Sequence, residues 1–261
     1  MFVEKCDRPL NFNGRIALSS YFAWTFVTMD RPYLVPIEPS LGVPEALIFI
    51  DGYISERTNK YDDNSLWWDV IRQAGWKGSI YYLYWDTATA KISLESFARL
   101  GVEAIAQWQK YKSLAKRIGK SYLPKLTWEL TEESVSFIGI SLGAYVSYYA
   151  MHDWFKASIE LKNAILLAAA IRRDSSIEWG KAASHLSGKL IDVYNSEDLI
   201  LKRFCQILEW ERSPCGIKPI LEEHPQIVNV NATQIVPTAE HSSINYLPVL
   251  KELVAQQLWQ V

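Results

Sequence analysis

The sequence predicts an α/β fold in which a mostly parallel central sheet is covered by helices on both faces. Short apolar runs alternate along the 261 residues with longer stretches of helical periodicity. The strand-like runs, such as residues 46–50, are continuously apolar, which is typical of strands buried on both faces. A Gly-x-Ser-x-Gly sequence at residues 139–143 stands between a predicted strand at residues 134–138 and a predicted helix. Ligand sites in open α/β sheets lie at the carboxyl ends of the strands, where this sequence falls.

The order of elements follows from these runs. The predicted strands cover residues 46–50, 79–85, 134–138, 163–170, 189–194 and 226–230. The predicted helices cover residues 64–74, 93–120, 144–151, 175–186, 197–208 and 243–259. Because no linker or repeat interrupts this order, we predict a single domain over residues 1–261, with residues 1–45 as an N-terminal extension packed on it. The short connection at 171–188 leaves room for a small lid or none.

Composition excludes several classes of protein. Apolar residues make up 49% and charged residues 21%, which suits a globular chain with a sizeable core. A net charge of −2 argues against nucleic-acid binding. The odd cysteine count, without metal-like spacing, indicates a reduced cytoplasmic setting and no metal site. The apolar segment 16–29 is too short to span a bilayer, so membrane contact is predicted only as a peripheral option, through this segment and the basic stretch 110–125.

Ser141, at the centre of the Gly-x-Ser-x-Gly sequence, is the predicted nucleophile. A serine on a sharp turn from strand to helix has a strained backbone, and glycines on both sides leave room for that turn. The following helix directs its N-terminal dipole and free N–H groups at the serine. This arrangement is the nucleophile elbow of the α/β-hydrolase fold, which is therefore the predicted fold.

His241 is the predicted general base. In this fold the chain order is serine, then acid, then histidine. His152 lies eleven residues beyond Ser141 on the same predicted helix, too far to reach the serine. His185 and His224 precede strands and so belong to the opposite edge of the sheet. His241 follows the last strand and precedes the last helix, which places it at the carboxyl edge.

Asp198 is the predicted acid that orients the histidine. It follows the strand 189–194, where a carboxylate can reach the imidazole Nδ1–H. Glu197 is an acceptable substitute, whereas Asp192 lies inside the strand. Asp198 could instead serve as the cap of the helix that follows.

An oxyanion hole needs two backbone N–H groups. The residue after the nucleophile, Leu142, is predicted to supply one. Tyr53 is predicted to supply the other, with Ile54 as the fallback, because Gly52 allows this loop to approach closely. Asp51 should point away or bond to the backbone, since a carboxylate facing an oxyanion would oppose catalysis.

From residue 48 onward, the chain resembles the DUF726 family of α/β-hydrolases, which includes transmembrane and coiled-coil domain proteins. The resemblance lies in residues 49–55, 83–86, 139–144, 193–201, 215–220 and 228–243. It implies an α/β-hydrolase fold with Ser141 in the elbow, Asp198 at the acid position and His241 in the closing region. It implies no particular substrate.

The sequence therefore predicts a serine hydrolase of the carboxylesterase or lipase type, acting on a lipid or other acyl ester without cofactor or metal. A surplus of aromatic residues favours an apolar acyl group, although core packing explains most of them as well; the residues concerned are Tyr53, Trp67, Trp68, Trp85 and Tyr145. The alternative is a catalytically idle α/β-hydrolase fold that serves as a binding module.

Overall fold

The computed structural model describes residues 31–52, 65–85, 102–154, 159–208, 213–236 and 241–259. Within these residues seven strands form one sheet in the order β1-β3-β2-β4-β5-β6-β7. The strands are β1 Tyr33–Glu38, β2 Glu45–Ile50, β3 Ser79–Tyr84, β4 Ser134–Ile140, β5 Glu160–Leu167, β6 Leu190–Tyr194 and β7 Ile227–Asn231. The helices are α1 Ser65–Gln73, α2 Val102–Arg117, α3 Leu123–Leu126, α4 Leu142–His152, α5 Trp179–Ser184, α6 Leu199–Leu208 and α7 Leu247–Ala255.

Every strand pair from β3 to β7 is parallel, and only the edge strand β1 runs antiparallel. Parallel neighbours need crossover connections, and helices supply them here. The parallel sheet, its antiparallel edge strand and a strand–serine–helix turn after β4 together define an α/β-hydrolase fold. The predicted fold class is confirmed.

The continuously apolar strands serve two cores, one on each face of the sheet. In β2, Ile48 and Ile50 pack against the layer formed by α2, α4 and α5. Leu47 and Phe49 point the other way, into the layer formed by α1 and α7. All four side chains are fully buried. A strand whose alternate residues both find apolar partners cannot show a polar–apolar alternation, which explains the unbroken apolar run in the sequence.

The strand β1 is absent from the predicted elements. It contains Pro36, which cannot donate a ladder hydrogen bond and which usually marks a segment as irregular. The structure accommodates the proline because β1 lies at the edge of the described part of the sheet, where it pairs with β3 with a register shift between Pro36 and Glu38. Part of the predicted N-terminal extension is therefore an edge strand of the central sheet. The apolar segment 16–29 lies outside the described residues, and the single domain over 1–261 stays a prediction.

Several predicted boundaries move by a few residues. The strand predicted at residues 163–170 ends at Leu167, because the chain beyond it turns to lie against the Ser141 turn. The long helix placed at 93–120 is described from Val102, ends at Arg117 and continues as a π-helical turn, Ile118–Tyr122. The helix placed at 175–186 is reduced to a 3₁₀ turn and the short α5, both within the connection that was predicted to hold little or no lid. None of the helices in the described ranges has the length and apolar character needed to cross a bilayer.

Asp192 is a fully buried carboxyl group within β6. Among the described residues, neither of its carboxyl oxygens has a hydrogen-bond partner. The nearby backbone N–H of Ile220 donates instead to Asn229 Oδ1, at 2.8 Å. Burial raises the pKa of Asp192 well above its usual value, and the neighbouring Cys215 thiol offsets this only in part. Because its pKa is raised, Asp192 keeps its proton to a higher pH in the folded protein than in the unfolded chain.

We expect the free energy of unfolding of Asp192→Asn to increase, relative to that of the native protein, as the pH rises. Above the ordinary aspartate pKa of about 4, the unfolded chain loses the proton and the folded state keeps it. Native stability then falls by up to about 1.4 kcal/mol per pH unit until the raised folded pKa is reached, and asparagine removes this dependence. Urea unfolding of both proteins across this range measures the gap, with the exposed Asp69→Asn as control. A gap that stays constant with pH would contradict the expectation.

Candidate active site

Ser141 occupies the turn between β4 and α4 in a strained backbone conformation. Its φ and ψ are 52° and −113°, a region that residues with a side chain rarely adopt. The neighbouring chain holds it there. Ser141 N–H donates to the Leu167 carbonyl at 2.9 Å, and the Ser141 carbonyl accepts from Ala170 N–H at 3.3 Å. These two hydrogen bonds, to the chain at and just after the end of β5, hold Ser141 in its strained conformation. The serine side chain is thereby directed toward the carboxyl edge of the sheet.

The two glycines of the elbow are required by close contacts with neighbouring chain. A Cβ on Gly143 would lie 2.8 Å from the Asp51 carbonyl oxygen, which is closer than carbon and oxygen can pack. A Cβ on Gly139 would lie 2.8 Å from Ala144 Cα and would also meet the Ser147 side chain. The missing side chains let α4 pack directly against the ends of β2 and β4.

His241 contacts the serine directly. Its Nε2 lies 2.8 Å from Ser141 Oγ, and its side chain is only 7% exposed. It precedes the 3₁₀ turn Ser243–Tyr246 that leads into α7, so it reaches the site from the chain that follows the last strand. With its Nδ1 protonated, the imidazole presents an unprotonated Nε2 that accepts the serine O–H.

Asp198 completes the hydrogen-bonded chain and uses both of its carboxyl oxygens. Oδ2 lies 2.6 Å from His241 Nδ1, and Oδ1 accepts from the backbone N–H of Leu201 at 2.7 Å. Asp198 therefore contacts the histidine and caps α6 at the same time, whereas the sequence analysis treated these two roles as alternatives. Asp198 is fully buried, whereas the alternative acid Glu197 is exposed. The structure brings Asp198, and not Glu197, to the histidine.

The other histidines lie away from the serine. His152 ends α4 and contacts Asp153 and Glu178, at 2.6 and 3.2 Å. His185 follows α5 and His224 precedes β7, so both belong to the amino edge of the sheet. In the described ranges, no group of three or more His, Cys, Asp or Glu side chains is arranged to bind a metal ion.

The structure describes one of the two backbone N–H groups predicted to form the oxyanion hole, that of Leu142. Leu142 is the first residue of α4, so its N–H has no acceptor within the helix. Gly52 lies against the elbow, since a Cβ on it would come within 2.9 Å of Ser141 Cβ and 3.5 Å of Leu142 N. The Gly52 N–H donates to Asp51 Oδ1 at 2.8 Å, so this carboxylate bonds to the backbone as expected. Tyr53 and Ile54 lie outside the described residues.

Trp85 is a site residue that the sequence analysis missed in this role. Its indole Nε1–H donates to the Asp51 carbonyl at 3.3 Å, and its side chain is 2% exposed. It therefore holds the end of the loop that approaches the elbow. Its position directly after β3 was visible in the sequence, but nothing in the pattern showed which backbone group the indole would meet.

The aromatic residues that suggested an apolar substrate are mostly core residues. Trp67 and Trp68 pack on Phe49, with ring centroids 4.9 and 5.2 Å apart, in the layer formed by α1 and α7. Trp85 belongs to the opposite core. Tyr145 is half-buried on α4, and Tyr53 lies outside the described residues. The three tryptophans pack the fold and supply no argument about the acyl group.

Comparison with known proteins gives similarity at two levels. The chain is similar to solved structures of a putative hydrolase from Agrobacterium vitis (10% identity, 87% of this chain and 92% of that chain, TM-score 0.44) and a lipase-esterase related protein from Clostridium acetobutylicum (11%, 87% and 98%, 0.44). A third similar structure is that of the poly(3-hydroxybutyrate) depolymerase LpqC from Bordetella parapertussis, with 12% identity, 87% of this chain and 83% of that chain covered, and a TM-score of 0.48. Likeness this distant carries no argument about activity.

Sequence comparison is more decisive. No curated protein is significantly similar to this chain. The family model described as protein of unknown function (DUF726) matches residues 96–256, which is more than half of the chain. The match includes the elbow, the acid loop and the closing region with His241, and the resembling residues at 49–55 and 83–86 precede it. The predicted family is confirmed, and the chain belongs to the DUF726 family.

Proposed function

We propose that the protein is a serine hydrolase that cleaves carboxylic esters through an acyl-enzyme. The observation that supports this most strongly is the continuous hydrogen-bonded chain from Ser141 through His241 to Asp198, with distances of 2.8 and 2.6 Å. Three residues separated widely in sequence meet in the geometry that activates a serine hydroxyl. The strained backbone of Ser141 adds to this support, because such strain is common at catalytic positions.

In the acylation step, Ser141 Oγ attacks the carbonyl carbon of the ester while His241 Nε2 takes the serine proton. Asp198 holds the imidazole in the tautomer that can accept this proton and stabilises the imidazolium that results. When the tetrahedral intermediate collapses, the bond to the leaving alcohol breaks and His241 returns the proton to the alcohol oxygen. Water then attacks the acyl-enzyme by the same route and releases the acid and free Ser141.

The negative charge on the tetrahedral intermediate needs backbone donors. The N–H of Leu142 is suited to this role, because it begins α4 and benefits from the positive end of the helix dipole. The Gly52 N–H is already bonded to Asp51, which supports Tyr53 as the second donor. One oxyanion-hole donor typically contributes about 3 kcal/mol to transition-state stabilisation.

An uncharged, apolar acyl group is the proposed substrate class. The chain that hydrogen-bonds to Ser141 continues as Ala168, Ala169 and Ala170, whose buried side chains belong to the two cores and bring no charge close to the serine. We therefore propose an apolar acyl ester of the kind that carboxylesterases and lipases cleave.

Labelling with a fluorophosphonate probe tests the proposal. Such a probe reacts with a serine only when a base has activated it. We expect the native protein to be labelled and both Ser141→Ala and His241→Ala to lose the label. The exposed His185→Ala should be labelled like the native protein. A panel of acyl esters graded by chain length, with a matched thioester and amide, then identifies the bond and chain length preferred.

The same experiment separates catalysis from binding. A folded native protein that the probe does not label would favour the idle binding module over the hydrolase. Labelling that persists in Ser141→Ala would show that another nucleophile reacts, and the proposed mechanism would then be wrong.

A further inference from the structure

Residues 106–126, which include most of α2, the π-helical turn after it and α3, carry charged side chains of one sign. Residues 106–126 contain six Lys or Arg and no Asp or Glu, whereas the whole chain contains 27 basic and 29 acidic residues. We call the outward side of this segment the basic face; its exposed members are Lys110, Lys116, Arg117, Lys120 and Lys125. Lys120 also forms an ion pair with Asp153, at 2.5 Å, which leaves the other four as the main positive charges of the face. Charge is therefore strongly segregated in a protein that is slightly acidic as a whole.

Helical spacing explains why these cations share one side. Positions 110, 116, 117 and 120 fall on one side of the helix, because residues three, four and seven apart are neighbours on a helix surface. The opposite side is apolar and already buried in the core, through Trp108, Tyr111, Leu114, Ala115 and Ile118. The apolar side of α2 is thus fully used by the fold, and the basic face is what it presents to its surroundings.

The basic face is braced against the helix that carries the nucleophile. Lys112, at the border of the face, lies over the Tyr145 ring, with Nζ 5.6 Å from the centroid. Lys116 and Lys120 lie over the Tyr149 ring, at 5.0 and 5.5 Å. Both tyrosines belong to α4, the helix that follows Ser141. These cation–π contacts hold the lysines near a fixed surface, which lowers the entropy lost when they bind a partner.

We propose that the basic face docks the protein on an anionic lipid membrane. Several closely spaced cations on the outward side of one helix suit the negative surface of a bilayer, to which each Lys or Arg contributes about fivefold in affinity. Trp128 lies three residues beyond Lys125 and is 57% exposed, and tryptophan is favoured where water meets hydrocarbon. Proteins that bind single-stranded nucleic acid instead use a basic groove with aromatic rings open for stacking, but here lysines cover the tyrosine rings.

The location of this face has a consequence for the active site. Tyr145 is only four residues beyond Ser141, and Lys112 contacts it, so the basic face borders the helix turn next to the nucleophile. Docking would then hold the site beside the membrane. Because the large apolar side chains described on α2 are all buried, attachment should be mainly electrostatic and strongly weakened by salt. This inference does not depend on the serine being catalytic.

Co-sedimentation of the full chain with lipid vesicles tests the proposal. The vesicles contain phosphatidylcholine alone or mixed with phosphatidylglycerol. One variant removes three of the charges of the basic face, by Lys110→Gln, Lys116→Gln and Arg117→Gln. A matched variant removes three exposed cations elsewhere, by Lys77→Gln, Lys181→Gln and Lys218→Gln. Both lose the same net charge, so only position distinguishes them. Thermal unfolding and fluorophosphonate labelling check that both remain folded.

We expect native protein to bind only the anionic vesicles and to be released by roughly 0.5 M salt. Neutralising the basic face should weaken binding on the order of 100-fold, whereas the matched variant should bind within a few-fold of native. Three results would overturn the proposal: no binding of native protein to anionic vesicles, equal weakening in both variants, or binding to a short RNA as tight as to the vesicles.

Discussion

Ser141→Ala, His241→Ala and the double variant should all lower kcat for ester hydrolysis by about the same factor, on the order of a million-fold. The serine and the histidine act as one unit, since the hydroxyl at 2.8 Å from Nε2 is a nucleophile only when the imidazole takes its proton. Once either side chain is removed, removing the other changes little. The residual rate should come from substrate binding and the backbone donors alone. Steady-state kinetics on the best ester from the graded panel measures all three factors.

A double variant whose loss in kcat equals the product of the two single losses would contradict this expectation. Such a product is expected when two residues act independently, and not when they are coupled. The exposed His185→Ala serves as control and should retain native kcat within a few-fold. Circular dichroism and thermal unfolding of each variant separate loss of chemistry from loss of fold. This matters for His241→Ala, which leaves the fully buried Asp198 without its partner.

Asp198→Asn should lower kcat by about 10,000-fold with little effect on stability. The reason lies in the two contacts of this side chain. The Leu201 N–H at 2.7 Å from Oδ1 needs an acceptor, so the asparagine oxygen should stay there and turn its NH₂ group toward His241 Nδ1. The imidazole must then keep Nδ1 unprotonated and carry its proton on Nε2, where it cannot accept the serine proton. The helix contact survives while the base is held in the wrong tautomer.

Glu197→Gln is the matched control for Asp198→Asn, since it makes the same chemical change one residue earlier on an exposed side chain. We expect it to retain kcat within about twofold, as surface changes away from a site usually do. The ¹⁵N chemical shifts of His241 report the tautomer and should change in Asp198→Asn only. If Glu197→Gln caused the larger loss, the acid would be Glu197 and the contact seen here would not be the catalytic one.

The fold was predictable because its signals are local. The unbroken apolar residues 46–50 of β2 indicate a strand buried on both faces, and a glycine on each side of Ser141 indicates a turn too tight for side chains. These properties depend on a few neighbouring residues. β1 was not predictable in this way, because Pro36 disrupts a strand pattern unless the strand lies at an edge, and edge position is a property of the whole sheet.

The candidate site was predictable to different degrees. His241 could be singled out because the chain has four histidines and only one of them follows the last strand. Asp198 was preferred to Glu197 through the family resemblance, since position alone does not separate two carboxylates that both follow β6 within a few residues. The structure distinguishes them by direction, with one fully buried against the histidine and the other exposed. Tryptophan content likewise did not separate pocket residues from core residues, and Trp67 and Trp68 proved to pack the core.

The sequence alone determined the α/β-hydrolase fold, the family and the choice of Ser141 and His241, because periodicity, glycine spacing and chain order can be read directly along the chain. Only the tertiary structure decided which carboxylate faces His241, what Trp85 holds and how the cations of α2 lie over the tyrosines of α4. Each of these depends on the direction of a side chain toward residues distant in the chain. That direction is set by the packing of the whole sheet and its helices, and a local sequence pattern contains no information about it.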